Sequence, residues 1–444
     1  MRQYFKTHKE YLESIKPEDI LTEEGIKENK FTRNRTITIP LVIEFLYFFG
    51  TLSHKKSITS TLFSMWGYLE LTSKVPSRQA MHEALKYISE EKFKQIMLNI
   101  PYINAEHHIK LFYGKNIYLA DGTNARLPRN KETLELYGCP KTGNTFSHYP
   151  QSKILTLFEV GTNVTSSLVM GRVNASERHL LLDAVDQVEK GSVIMADCGF
   201  HSAALAHLLE KKGYSFLIRI NENNAKKFIS NISFANDTAL VKMKITKSMR
   251  KKYNGLEKAP EFIEVRIIKV REASIGKRAV YLITDMREPP TEELANLYWE
   301  RQRIEDSYKY KKTYGGLEEI HPNTKIHLIN LAISGVLGYH NMVQLALSKI
   351  SETPSPNEDQ LTILNRKVGW ENTMPVFFKY IAKGIVEPDF IDLIDRTKNE
   401  IRIDRFAPRV LKKPQTRYKN RKENNKNCDD RKLTSKAESN DDAA

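Results

Sequence analysis

The sequence predicts an α/β protein: a mixed sheet flanked by helices, with a helical region before it and another after it. Three observations carry this. Segments rich in β-branched and aromatic residues alternate with helix-period segments through the middle of the chain. The first hundred residues and the stretch beyond about residue 320 show helical periodicity without strand patterns. Hydrophobic content of 40% and charged content of 28% are a globular balance that excludes a disordered chain.

Residues 1–105 read as a helical domain. In "SKVPSRQAMHEALKYISEEKFKQIM" Ser77 is placed to cap a helix that carries Met81, Leu85 and Ile88 at helical spacing. Ser89 is placed to cap the next helix, with Glu90 and Glu91 in its first turn. Short capped helices in a basic chain suit either a helix-turn-helix DNA reader or a plain bundle. The pattern then changes. "KNIYLADG" reads as a strand ending at Asp121-Gly122, and "SKILTLFEVGT" with "SSLVMGRVNA" as a hairpin around Gly161-Thr162-Asn163. A helix with Ser176 at its cap leads to "SVIMADCGF", a continuous apolar strand ending at Asp197. A further helix runs from Ser202 to Gly213, and "YSFLIRI" is the next strand. Strands alternating with helices imply a partly parallel sheet. Residues 222–287 break the rhythm with three more strand-like segments and read as an inserted β-subdomain. Residues 321–413 are helical, and 414–444 are polar, basic at first and poor in apolar residues, a disordered tail.

The net charge of +15 points to a polyanionic partner, nucleic acid being the commonest. Three scattered cysteines, Cys139, Cys198 and Cys428, match no zinc spacing and suit a reducing compartment. The first residues are too charged for a signal peptide. The longest apolar run, "IHLINLAISGVLGYHNMVQLAL", carries His327, Asn330, His340 and Asn341, so it reads as a buried helix and no membrane is expected.

The segment "YWERQRIEDSYKYKK" carries the chemistry. At about 100° per residue, Tyr298, Arg301, Glu305 and Lys312 fall in one helical stripe about 60° wide. The stripe is either a solvated face, with an Arg301–Glu305 pair worth tenths of a kcal/mol, or a metal-holding carboxylate among phosphate-holding groups. Asp121 and Asp197 each end a predicted strand and are followed within two residues by a Gly. A lone Asp-Gly is usually a turn, but ligand groups of α/β sheets gather at strand ends. Two such aspartates with a helix glutamate make an all-oxygen set for a hard divalent ion, magnesium or manganese rather than zinc. Two ions can clamp both oxygens of an in-line phosphoryl transfer. Arg301 and Lys312 would then grip neighbouring phosphates, with Tyr298 adding a hydroxyl.

With these residues in hand, the sequence resembles the bacterial insertion-sequence transposases of the DDE type, in the group marked by Y-x2-R-x3-E-x6-K. Tyr298, Arg301, Glu305 and Lys312 fit that signature without a gap, and "DGT" at Asp121 and "DCGF" at Asp197 match the two aspartate boxes. Arg219, in "LIRI", stands where the family has a basic residue. The resemblance spans roughly residues 35–415. It implies a ribonuclease H-like core, residues 110–320, with a β insertion ahead of the glutamate helix. The stretch between Asp197 and Glu305, roughly a hundred residues, is independently too long for one crossover helix. The resemblance further implies Asp121, Asp197 and Glu305 as catalytic metal ligands for two ions, Mg2+ or Mn2+, and Tyr298, Arg301, Lys312 and Arg219 as DNA-phosphate contacts. It implies cut-and-paste movement of a DNA element: water nicks the element end, the freed 3′-hydroxyl attacks the opposite strand to form a hairpin, and the opened end is joined to target DNA. A homodimer on double-stranded DNA, in the cytoplasm at the nucleoid, is implied too. One position departs: many members carry Trp after the signature arginine, whereas this chain has Gln302, with Trp299 ahead of Arg301. The alternatives are a transposase-derived DNA-binding protein without cutting activity and a metal-dependent nuclease that cuts without joining.

Overall fold

The computed structural model describes residues 2–32, 36–51, 57–103, 112–143, 145–229, 237–271, 279–313, 315–318, 320, 324–351, 362–363, 366–384, 388–397 and 399–400. The predicted tail, and the end of the predicted C-terminal helical region, lie outside the described residues.

The strands are β1 (Ile117–Arg126), β2 (Lys141–Thr142), β3 (Thr145–Phe146), β4 (Gln151–Glu159), β5 (Thr165–Arg172), β6 (Val193–Ala196), β7 (Ser215–Ile220), β8 (Thr238–Lys244), β9 (Phe262–Arg271) and β10 (Ala279–Thr284). Eight of them form one mixed sheet in the order β5-β4-β1-β6-β7-β10-β9-β8, while β2 and β3 pair separately as a small hairpin. β1 pairs parallel with β6 and antiparallel with β4; β6 pairs parallel with β7; β4 and β5 form the expected hairpin. Counting the first five long strands as 1 to 5, the order is 3-2-1-4-5 with the second antiparallel, the ribonuclease H-like arrangement. The inserted strands β8, β9 and β10 do not fold apart from this sheet. β10 pairs with β7 and carries β9 and β8 outward, extending the sheet.

The helices that matter here are α1 (Arg2–Ser14), α2 (Ile39–Thr51), α3 (Arg78–Lys86), α4 (Glu90–Ile103), α5 (Glu177–Ala184), α6 (Ala203–Lys211), α7 (Thr291–Trp299), α8 (Gln302–Thr313) and α9 (Ile326–Ser351). Alternation along the strands fills both faces of the sheet. Tyr118, Ala120, Ile194, Ala196 and Ile218 pack under α5 and α6. Leu119, Met195 and Leu217 pack under α7 and α8, against Leu297, Tyr298, Ile304 and Tyr308. Burial on both faces explains why "SVIMA" reads as an uninterrupted apolar run.

Ser77 and Ser202 cap α3 and α6 as expected, accepting from Ala80 N at 3.1 Å and Leu205 N at 3.5 Å. Ser176 holds the cap position of α5 but its side chain accepts no capping bond. The helices before and after the sheet share one apolar core, in which α9 packs on α2 and α4. A Cβ on Gly50 would lie 2.6 Å from the Ala332 carbonyl oxygen, and one on Gly335 2.5 Å from that of Leu46, so α2 and α9 meet backbone to backbone. Among the described residues no helix is long and apolar enough to cross a membrane.

Candidate active site

β1 does not stop at Asp121. It runs on to Arg126 because β4 pairs with it throughout, Asp121 opposite Thr156 and Arg126 opposite Gln151. What ends near Asp121 is the pairing with β6, whose last rung is Ala120 opposite Ala196. The next residues are Asp121 and Asp197, at the same level on neighbouring parallel strands about 4.8 Å apart. Asp197 has extended backbone, φ −78° and ψ −177°. Alternation therefore sends both carboxyls to the face of Leu119 and Met195, under α7 and α8. Arg219 follows Leu217 by two residues and projects to that face from β7, exposed.

Each aspartate is braced by backbone. Asp121 Oδ1 accepts from Gly122 N at 2.9 Å, and Asp197 Oδ1 accepts from Gly199 N at 2.8 Å. A Cβ on Gly122 would come within 2.7 Å of the Glu177 carboxyl carbon on α5, so the Glu177 side chain would have to swing aside to admit one. Burial pushes the Asp121 carboxyl up to about 6; the Gly122 N–H opposes this, the negative charges of Asp197 and Glu305 add to it, and Arg301 opposes it. Asp121 is therefore within electrostatic reach of both other acids and of the arginine.

The predicted single helix is two. Between α7 and α8 the chain makes a tight turn at Glu300 and Arg301, with Glu300 N bonding to Leu297 O, Arg301 N to Tyr298 O and Ile304 N to Arg301 O, all three-residue steps. No Gly or Pro marks the break, so periodicity alone carried the helix through it. Tyr298 ends one helix while Glu305 and Lys312 ride the next. Tyr298 is 4% exposed, its hydroxyl has no hydrogen-bond partner among the described residues, and burial pushes it up to about 12 against the pull of Arg301 and Arg219. The Arg301 guanidinium donates to Glu305 Oε1 at 2.7 Å, and Gln302 Nε2 donates to Glu305 Oε2 at 2.9 Å. Burial works against the Arg301 charge, but Tyr298, Glu305 and Asp121 outweigh it and the pKa is raised. Lys312 Nζ donates to Asn124 O at 2.6 Å and pairs with Glu318 at 3.3 Å. The stripe's cations thus stand at the site already engaged, Arg301 with an acid of the predicted triad. Trp299 is 48% exposed beside Tyr298.

Sequence reading missed the residue that ties α8 to the acids. Tyr308, one turn after Glu305, donates from its hydroxyl to the Asp121 carbonyl at 2.7 Å and accepts from Thr156 Oγ1 at 2.8 Å. It sits on the core-facing arc of the helix, and no pattern in the sequence separates such a tyrosine from ordinary packing. Lys311 was missed as well. Its ammonium is buried and donates to Thr165 Oγ1 and Ser307 Oγ, both at 2.7 Å, fixing α8 to β5. Burial pushes it down to about 7.

The donor set suits a hard divalent cation: three carboxylates, two of them adjacent and one disfavoured as an anion chiefly by its burial. Among the described residues, however, no three acidic, His or Cys side chains stand close enough together to hold a metal ion. Glu305 faces Arg301 and Gln302, and a metal would have to draw it from them.

Acids where two adjacent parallel strands part, with a third on a helix over the same sheet face, suit a class: enzymes that transfer phosphoryl groups of nucleic acid with divalent metal. The comparisons with known proteins give the member. The family model described as Transposase DDE domain matches residues 112–330, which span every strand of the sheet and both helices of the site. The Escherichia coli K12 transposase InsG for insertion sequence element IS4 is 22% identical over 309 residues, 69% of each chain. The piggyBac transposase synaptic complex with hairpin DNA, a cryo-EM structure, covers 89% of this chain and 84% of its own, at 12% identity and a TM-score of 0.41. Together the family-model match and the InsG similarity support a DNA transposase with a DDE domain, similar to those that bacterial insertion sequences carry.

Proposed function

We propose that this transposase moves its element by cut-and-paste, with Asp121, Asp197 and Glu305 as the metal-holding triad, and that it belongs to the group with the Y-x2-R-x3-E-x6-K signature. The observation that supports it most is the pairing of Asp121 and Asp197 one step beyond the last β1–β6 rung, with the Glu305 helix pinned to Asp121 through Tyr308. Magnesium or manganese, as two ions, would neutralise charge on the scissile phosphate and lower the pKa of the attacking hydroxyl. The chain's own residues do the rest. Tyr298 offers a buried, unpartnered hydroxyl to a phosphate oxygen. Arg301, released from Glu305, takes an adjacent phosphate, and Lys312 and Arg219 hold the strand on either side. The same site would nick, form the hairpin and join the element end to target DNA, with two chains bridging two ends at the nucleoid. Residues 1–105 contribute DNA contacts.

The test is cleavage of a labelled element end by purified Asp121→Ala, Asp197→Ala and Glu305→Ala, with end-binding measured alongside. Each should lose cutting and keep binding, because a metal ligand serves chemistry more than docking. Cutting that survives one substitution removes that residue from the triad. Products that are nicked but never hairpinned would favour a nuclease over a cut-and-paste transposase.

A further inference from the structure

The β2–β3 hairpin lies beyond the acid-bearing stretch of β1, and none of its side chains has a part in the site described above. Its base is fixed by backbone: Gln151 N bonds to Gly138 O at 3.0 Å, Ser147 N to Pro140 O at 2.8 Å and Leu127 N to Pro150 O at 2.9 Å. On this support stand two large rings turned to solvent, Phe146 at 64% exposure and Tyr149 at 44%. Each lies beside a cation: Lys141 Nζ is 5.6 Å from the Phe146 ring centre, and the Arg126 guanidinium is 5.5 Å from that of Tyr149. Arg129 donates to the His148 carbonyl, and the His148 ring meets Tyr149 edge-on at 4.8 Å. Among the described residues none of Arg126, Arg129 and Lys141 is in an ion pair, although many of the chain's other cations are.

Three unneutralised cations call for an anionic partner. Two exposed rings call for something flat as well, since a surface that only gripped phosphates would have no use for them. Nucleic-acid bases out of the duplex satisfy both demands, because their faces stack on aromatic side chains while their phosphates meet the cations. The hairpin is also within reach of the acids. Arg126 is five residues beyond Asp121 on the same strand, roughly 17 Å away. Alternation places the Arg126 side chain on the sheet face opposite Asp121, so a strand would reach it around the edge that β1 frees where the β6 pairing ends.

We infer that the β2–β3 hairpin, through Phe146, Tyr149, Arg126, Arg129 and Lys141, is a binding surface for unpaired DNA strands. This rests on the transposase reading and goes beyond it by assigning a surface and a state of the DNA.

The probe is an oligothymidine strand carrying one 2-aminopurine, compared with a duplex of equal length. The proteins are the full chain, Phe146→Ala/Tyr149→Ala, and Phe146→Tyr/Tyr149→Phe, which keeps both rings. Wild type should bind the single strand and quench the 2-aminopurine. The alanine pair should lose about tenfold or more in single-strand affinity, together with the quenching, and hold the duplex within about twofold. The ring-keeping pair should behave as wild type. Because both side chains are exposed, all three should melt together. Equal binding of the single strand by wild type and the alanine pair overturns the proposal, as does an equal loss on both DNAs. If wild type cuts element ends yet shows either result, the surface fails and the transposase reading stands. If wild type binds neither DNA, both fail.

Discussion

Lys311→Met tests how α8 is held. The ammonium is 3% exposed and no carboxylate among the described residues pairs with it; its partners are the hydroxyls of Thr165 and Ser307 and the ring of Tyr308. Burial pushes it from an ordinary 10.5 to about 7. Between those values the unfolded chain carries a proton at this site that the folded chain does not, so its contribution to stability rises with pH. The slope is about 1.4 kcal/mol per pH unit. Across the whole window it amounts to roughly 5 kcal/mol at most, with the full cost of burying the charge felt below about pH 7. Glu44 runs the other way, because burial pushes its carboxyl up to about 8, so its share of stability falls as pH rises between its ordinary 4.5 and that value. The difference between wild type and Lys311→Met removes Glu44 and every other shared group. Melting both proteins from pH 6.5 to 9.5 should show the variant gaining most on wild type at the acid end and progressively less toward the alkaline end. A difference that stays flat with pH would refute the reasoning, since a hydroxyl-bonded lysine with an ordinary pKa would give that result.

Tyr308→Phe leaves the Asp121 carbonyl and the Thr156 hydroxyl short of a partner, which should cost about 1–3 kcal/mol; strand cleavage should fall further than melting accounts for, and unchanged cleavage in a protein that melts early would make Tyr308 purely structural. Arg301→Gln and Lys312→Gln should fold and keep metal binding while losing most cleavage; if they cut and join at wild-type rates they do not hold phosphates, because an exposed pair is worth only about 0–1 kcal/mol. DNA binding should weaken steeply with salt, through lost counterion release, in a chain of net charge +15; a flat response in a salt titration would separate the basic excess from the DNA contact.

Elements with a strong local signal were legible in the sequence. The β4–β5 hairpin, the capped helices α3 and α6 and the fully buried β6 follow from turn residues, N-caps and an apolar run. Asp197 follows the end of β6, as its apolar run implied, whereas Asp121 reads as a strand end in the sequence and lies inside β1, where only the β6 pairing stops. Long-range pairing was not. Nothing local says that β10 joins β7, or that β1 continues under β4 to Arg126, because strand partners are chosen by the whole sheet. The α7–α8 break was invisible because its residues are good helix formers and only the three-residue hydrogen bonds mark it. Lys311 and Lys312 look alike in sequence, yet one is buried against Thr165 and the other reaches Asn124 at the surface.

The backbone contact of α2 with α9 at Gly50 and Gly335 bears on how such a protein can change its target. Helices that approach this closely at two points leave no room for a side chain between them, and α9 is the next of these helices in the chain after those of the acidic site. The N-terminal helices are therefore welded to the catalytic unit and not strung from it. Cutting the chain between them would strip the apolar flank of α9, so neither half should be obtained alone as a soluble fragment. New DNA preferences would have to arise by point substitution on the surface, since exchange of the whole N-terminal region would carry half of a shared core with it.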